Sequence, residues 1–399
     1  MRSMSSLRVA TVFVLLQMGL LWGQAAPQFV SVSEISHASL NALVGQAIAM
    51  SFDLSPDGKL VAMLAIAGPK LGPLWLVTVD TSTKHIVASR ELGPSVWPTS
   101  VNFLHQVLYS SDQRYLVVQD LAEIRVFDAR NLEPVRTIPI PASARRLVPL
   151  SVVRASNSDV FVCAFGSEQQ PKYGLLATPV QIEVVDVSSG EILGEWAAED
   201  VPQAVSPNGD FIAVSSWQTP NPRRVVPLAV FDRNGRKVAD MNDGFSFSNA
   251  ANPSKPLGRV IGRFVSNQTV LLVPDEHIDD TGHHSGDSIR LLSITGQQAQ
   301  QSVTPEHFSP TGSLAISEDG KTILVASFYL SPRLLAQRHG PLHGGEGKLL
   351  ILGPGPKLHV DFAVPIDSLE EARVSSDGSV IAIRHYRKDV TVLTRNHHQ

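Results

Sequence analysis

Leu54-Ser55-Pro56-Asp57-Gly58-Lys59-Leu60-Val61-Ala62-Met63 packs a serine, a turn pair and an apolar run into ten residues. The pattern returns as Val205-Ser206-Pro207-Asn208-Gly209-Asp210-Phe211-Ile212-Ala213-Val214 and as Ile316-Ser317-Glu318-Asp319-Gly320-Lys321-Thr322-Ile323-Leu324-Val325. A fourth clear copy is Val374-Ser375-Ser376-Asp377-Gly378-Ser379-Val380-Ile381-Ala382-Ile383. Degenerate copies centre on Asp112-Gln113, Asn157-Ser158 and Asn267-Gln268. With Gly58, Gln113, Ser158, Gly209, Gln268, Gly320 and Gly378 as markers, the copies recur every ~53 residues, a period that signals a repeat architecture.

Asp-Gly and Asn-Gly tolerate positive φ, so each copy is expected to be a β-hairpin closed by a primed two-residue turn. A second apolar run follows and ends in aspartate: Leu76 to Asp80, Ile124 to Asp128, Ile182 to Asp186, Leu228 to Asp232. Another turn and a short fourth strand come next, as in His85 to Leu92 and Gly190 to Trp196. Each unit is therefore four antiparallel strands, a to d. Seven such units repeated radially make an all-β, seven-bladed β-propeller. The last unit supplies only strands a to c before the chain ends. Phe29-Val30-Ser31-Val32-Ser33 has the alternation to supply its missing strand and close the ring, which would remove an exposed edge. The recurrent Ser-Pro-Asp-Gly hairpin followed by a Val-rich strand resembles bacterial extracytoplasmic propellers of the WD40-like or YVTN type, and the resemblance covers nearly all of residues 26–399.

The chain has 399 residues and a single cysteine, so no disulfide framework exists within it. Cys163 lies in the apolar run Val160 to Phe165 and reads as a buried small hydrophobe. Arg2 and Arg8 precede an apolar stretch from Val9 to Trp22, and Gly23-Gln24-Ala25 offers small residues for cleavage. Residues 1–25 read as a secretory signal peptide, with 26–399 as one domain. The apolar stretch is shorter than the roughly 20 residues a spanning helix needs. Loss of Arg2 and Arg8 leaves 31 basic against 37 acidic residues, a formal charge of −6. That balance lacks the basic footprint of a nucleic-acid-binding protein. The expectation is an exported, periplasmic or extracellular monomer with no membrane span.

Alternating strand direction puts the a–b and c–d turns on one face and the b–c and d–a connections on the other. Five b–c segments read as long: Ala67 to Leu74, Gly166 to Val180, Trp217 to Val226, Pro274 to Asp287 and Phe328 to Gly347. Long loops on a rigid scaffold commonly carry binding function. Candidate binding residues there are Tyr173, Trp217, Arg223, Arg224, Tyr329, Arg333, Arg338, His339, His343, His385, Tyr386 and Arg387. The arginines suit an anionic ligand through charge-assisted hydrogen bonds, and the aromatics suit a sugar or peptide groove. Ordinary solvated surface and burial between blades are the competing roles. Asp275, His277, Asp279, His283 and His284 carry imidazole and carboxylate at a density that suits a divalent metal, although their spacing matches no named motif. A solvated polar loop is the alternative, and no cofactor is expected.

No Gly-x-Ser-x-Gly elbow, Walker loop, dinucleotide fingerprint or His-Glu-x-x-His is present. Two readings follow. The preferred one is a noncatalytic propeller that binds a protein, peptide or glycan on its long-loop face. The alternative is a lactonase-like propeller hydrolase, metal-dependent if the His-rich loop holds an ion.

Overall fold

The computed structural model describes residues 29–35, 47–67, 72–94, 105–120, 123–141, 147–167, 180–198, 201–215, 228–241, 260–274, 289–295, 299–303, 310–329, 346–354, 358–367, 369–385 and 390–395. These form 28 strands in seven four-stranded antiparallel sheets, and no helix occurs among the described residues. Blade 1 is β2 (Ala47–Leu54), β3 (Leu60–Ala67), β4 (Pro73–Asp80) and β5 (Ile86–Pro94). Blade 2 is β6 (Gln106–Tyr109), β7 (Tyr115–Gln119), β8 (Ile124–Asp128) and β9 (Pro134–Ile138). Blade 3 is β10 (Leu147–Arg154), β11 (Val160–Ser167), β12 (Val180–Asp186) and β13 (Ile192–Ala198). Blade 4 runs β14 (Pro202–Val205) to β17 (Lys237–Asp240), blade 5 β18 (Val260–Ser266) to β21 (Ala299–Val303), and blade 6 β22 (Pro310–Ile316) to β25 (Leu358–Asp367). Blade 7 has β26 (Leu369–Val374), β27 (Val380–His385) and β28 (Val390–Arg395), with β1 (Phe29–Ile35) as its outermost strand.

The ring closes as the sequence suggests. β1 pairs antiparallel with β28, from Phe29 opposite Arg395 to Ile35 opposite Val390. Ile35 extends the strand two residues beyond the Phe29 to Ser33 run and is fully buried beside Phe52, Val390 and Val392. The innermost strands neighbour one another in ring order, β2 to β6 and onward to β26 and back to β2. No single central core exists. Each of the seven seams between blades has its own apolar cluster, so residues of one strand alternate between two seams. On β3, Val61 and Met63 face blade 7, while Ala62 and Leu64 face blade 2. Burial on both faces is why such strands read as nearly continuous apolar runs. Trp75 is packed into the blade 7–1 seam, and Cys163 is fully buried in the blade 2–3 seam.

The marker hairpin differs from the primed turn expected of Asp-Gly. Pro56 and Asp57 do not take positive φ; Gly58 does, at +72°, in the fourth position of a turn closed by its N–H donating to the Ser55 carbonyl at 2.8 Å. Serine is the reason. The buried Ser55 hydroxyl donates to Asp57 Oδ1 at 2.8 Å and accepts the Leu60 N–H at 2.9 Å, while Asp57 Oδ1 also accepts the Lys59 N–H at 3.1 Å. The same three bonds recur at Ser110/Asp112, Ser206/Asn208, Ser317/Asp319 and Ser375/Asp377. Burial raises the pKa of Asp57, Asp319 and Asp377, but hydrogen bonds from serine and from the following backbone outweigh it and the net shift is downward.

The aspartate that ends strand c has a matching job. Asp80 Oδ1 accepts the backbone N–H groups of Thr83 at 2.7 Å and Ser82 at 2.9 Å, and these bonds with both hydroxyls hold its pKa near 2. Asp128, Asp186 and Asp232 receive equivalent backbone bonds from the residues that follow them. Because the folded-state pKa values of Asp80 and Asp186 are depressed, their stabilisation is present above the ordinary carboxylate range and is lost as pH falls through the depressed values.

The turns also lock each blade to the one before it. A Cβ on Gly58 would lie 2.7 Å from Val380 Cγ2 of blade 7, and one on Gly209 would lie 2.8 Å from Val160 Cβ of blade 3. Hydrogen bonds run around the same face: Ser376 N to the Pro56 carbonyl at 2.7 Å, Asn157 N to the Pro207 carbonyl at 2.9 Å, and Asn208 N to Asn267 Oδ1 at 3.0 Å. Between blades 2 and 3, the Ser111 hydroxyl donates to Asp159 at 3.0 Å.

Two outcomes follow from this packing. Gly58→Ala combines left-handed strain with a clash against Val380 and should cost roughly 2–4 kcal/mol in urea unfolding; a loss within the error of the melt would mean that the seam adjusts freely. Deleting residues 27–35 should lower the Tm, because β28 would lose its ladder partner and Ile35 its cluster; an unchanged Tm would show that β1 does not close the ring.

Candidate functional site

Seven inner strands splay around a channel, so their inward edges lack ladder partners and their backbone groups need other ones. Side chains supply them. Tyr109 N–H donates to Asp53 Oδ2 at 2.9 Å, Val107 N–H to Ser51 Oγ at 3.3 Å, Val152 N–H to Gln106 Oε1 at 3.0 Å, and Gly262 N–H to Gln203 Oε1 at 3.3 Å. Carbonyls are met by arginines: Arg154 Nη1 donates to Tyr109 O at 2.7 Å and Arg263 Nη1 to Gln203 O at 2.5 Å. Each bond spans two neighbouring blades.

Asp53 is the hub of this lining. Its side chain is 1% exposed. It takes the Tyr109 N–H from blade 2, accepts Arg373 Nε of blade 7 at 3.1 Å, and lies 3.6 Å from Arg154 Nη1 of blade 3. Arg373 also bonds Glu371, whose second oxygen accepts Arg384 Nη2 at 3.2 Å. Burial works against the Arg373 guanidinium, but Glu371 and Asp53 outweigh it and raise its pKa. Glu318 of blade 6 is pushed upward by burial, with Ser376 and the Arg154 charge partly offsetting that rise. Four blades thus share one carboxylate within two residues of the tight turns. Its charges are mutually satisfied, which suits a strut more than a ligand seat.

On the opposite face the connectors are uneven. Those between strands b and c of blades 3 to 6 span residues 168–179, 216–227, 275–288 and 330–345, whereas blade 1 has only 68–72. The Ala67 to Leu74 segment is therefore shorter than expected: β3 runs through Ala67 and β4 begins at Pro73, which leaves residues 68–72 as the connector. In blade 2 the connection is tight. Asp120 accepts the Glu123 N–H at 2.9 Å and pairs with Arg125 at 2.7 Å. Beside it His105 is 4% exposed, with no hydrogen-bond partner on either ring nitrogen. Burial lowers its pKa, opposed by the Asp120 charge, so the imidazole is held toward its neutral form.

Of the residues expected to bind, His385 ends β27 at this face and its Nε2 lies 2.9 Å from Thr391 Oγ1. Tyr329 ends β23 (Ile323–Tyr329), opposite Glu346. Tyr173, Trp217, Arg223, Arg224, Arg333, Arg338, His339, His343, Tyr386 and Arg387 lie outside the described residues, as do Asp275, His277, Asp279, His283 and His284. Sequence reading missed Asp53, Arg154 and Arg373. Their signal was a charge inside an otherwise apolar strand a, placed one or two residues before the marker turn.

These features define a class of fold, the seven-bladed β-propeller. A chain in the crystal structure of a mitotic checkpoint complex resembles it with a TM-score of 0.56 and 12% identity, covering 94% of each chain. At that identity the likeness is one of fold. No protein-family model matches the sequence, and no curated protein matches it.

Removing the hub charge tests its role. Asp53→Ala leaves Arg373 and Arg154 without their shared carboxylate and should cost roughly 2–4 kcal/mol, part of which Arg373→Ala in the same chain should restore. Additive losses in the double variant would show that Asp53 and Arg373 do not act together.

Proposed function

We propose that this chain is an exported binding protein of the bacterial extracytoplasmic propeller type, seating a protein, peptide or glycan on the face from which the long connectors of blades 3 to 6 leave. One observation carries the reading: the four long b–c connectors come from four consecutive blades and leave the ring on the same side. The other face is taken up by tight turns bonded to one another, which leaves little variable surface there. A rigid ring with a grouped set of long connectors is a scaffold for recognition. Export rests on the basic and apolar pattern of residues 1–25.

Replacing residues 216–227 and 330–345 with short Gly-Ser turns provides the test. Screened on peptide and glycan arrays, the parent should show a ligand that the replaced protein has lost, with the Tm of the ring preserved. A lactone panel run with and without zinc or calcium should show no turnover by either. Metal-dependent hydrolysis that disappears with the loops would overturn the binding reading and install the lactonase-like one.

A further inference from the structure

Most of the polar groups buried in this ring cap a turn or bond an inner-strand edge. Glu183 does neither. It sits mid-strand in β12 and is 2% exposed, in the seam between blades 2 and 3, with Oε2 lacking a hydrogen-bond partner among the described residues. Directly opposite on β13 is Glu195, and directly opposite on β11 is Cys163. Like charges placed opposite each other across a ladder repel.

Among the described residues, the groups around it offer no countercharge. Across the seam, blade 2 presents Val117 of β7, Ile124 and Val126 of β8, and Ile138 of β9. Tyr115 sits at the turn end of the same cluster, and Asp128 caps its own turn. Among the described residues Arg114, Arg136 and Arg154 border the seam, and Arg114 is held at the turn by the Tyr115 hydroxyl at 3.4 Å. Arg136 is held at the outer rim by the Ser188 carbonyl, and Arg154 at the channel by the Tyr109 carbonyl, at 3.0 and 2.7 Å. On the Glu183 side, Cys163 is a buried thiol pushed far upward by burial and by the Glu183 charge, and Glu195 accepts Gln181 Nε2 at 2.9 Å.

We propose that the seam between blades 2 and 3 is a proton-controlled contact, packed tightly while Glu183 carries a proton and loosened when Glu183 ionises opposite Glu195 in an apolar wall. The protonated carboxyl is neutral and can remain buried beside Cys163. The ionised form faces Glu195 with no cation beside it among the described residues, and its hydration would part the outer strands of the two blades. Burial first, and the Glu195 charge second, raise its pKa to about 7, so the change falls within an ordinary range of environments. The sign follows from linkage: the folded form binds the proton more tightly than the unfolded chain, so the contribution is full below the ordinary carboxyl value and is lost as pH rises from there through about 7. This runs opposite to the turn aspartates, whose contribution is lost in acid. The inference does not depend on the binding reading.

The test is the pH dependence of the intact chain. From pH 5.5 to 8.5 the parent should lose about 2–5 °C of Tm relative to Glu183→Gln. After correction for intrinsic rates, hydrogen exchange in β9 and β12 should rise over the same range in the parent alone. Glu195→Gln removes the opposing charge while keeping the carboxyl, and should move the midpoint of the transition to lower pH. Parallel pH profiles for parent and Glu183→Gln would overturn the proposal. So would an unmoved midpoint in Glu195→Gln, which applies even if Glu183→Gln fails to fold.

Discussion

The contact on which the ring depends is the seating of each a–b turn against the preceding blade. A buried serine hydroxyl holds the turn shut from within, aspartate fixes the serine, and glycine at φ near +72° lets the backbone come within van der Waals contact of the neighbour. None of these residues is chosen for strand propensity. The motif is therefore an interblade joint as much as a turn, which explains why serine recurs with aspartate in four of the blades and with asparagine in a fifth. Where glycine is absent the joint changes form: Gln113 takes positive φ, and its side-chain amide, turned nitrogen-first, would donate to Asp57 of blade 1 at 3.1 Å.

The inward edge is the second constraint. Seven strands cannot pair across a channel, so their free backbone groups are met by serine, glutamine, aspartate and arginine side chains. Asp53 is the extreme case, a single carboxylate shared by groups from blades 2, 3 and 7. Deep in the wall, charge here serves the same end as the ladder does elsewhere. Glu183 stands apart because it lies in a seam with no backbone group to satisfy.

Much of this was legible from sequence. The repeat gave the blade count, the aspartates ending strand c marked real caps, and Phe29 to Ser33 was recognisable as the closing strand. The turn type was not legible, because Asp-Gly favours a primed hairpin only when nothing else competes, and the serine hydroxyl two residues earlier competes successfully. The channel residues were hidden for a different reason. Asp53 and Arg373 share one column of the repeat but carry opposite charges, and Arg154 sits one position later, since each answers an edge set by its particular neighbour. The candidate binding residues fared least well: His385 reaches the expected face and bonds Thr391, while most of the others lie in connectors whose lengths the topology groups but whose side chains it does not place.

The central claim is that the turns are part of the cooperative ring. Native-state hydrogen exchange at the N–H groups of Ser55, Ser110, Ser206, Ser317 and Ser375 tests it most directly, since each donates to a carbonyl across its hairpin. If the turns are interblade joints, these five amides will exchange only by global unfolding, with the same free energy and denaturant dependence as amides in the middle of the blades. Exchange through local opening, at rates typical of surface loops, would contradict the account and leave the seven seams to hold the ring by apolar packing alone.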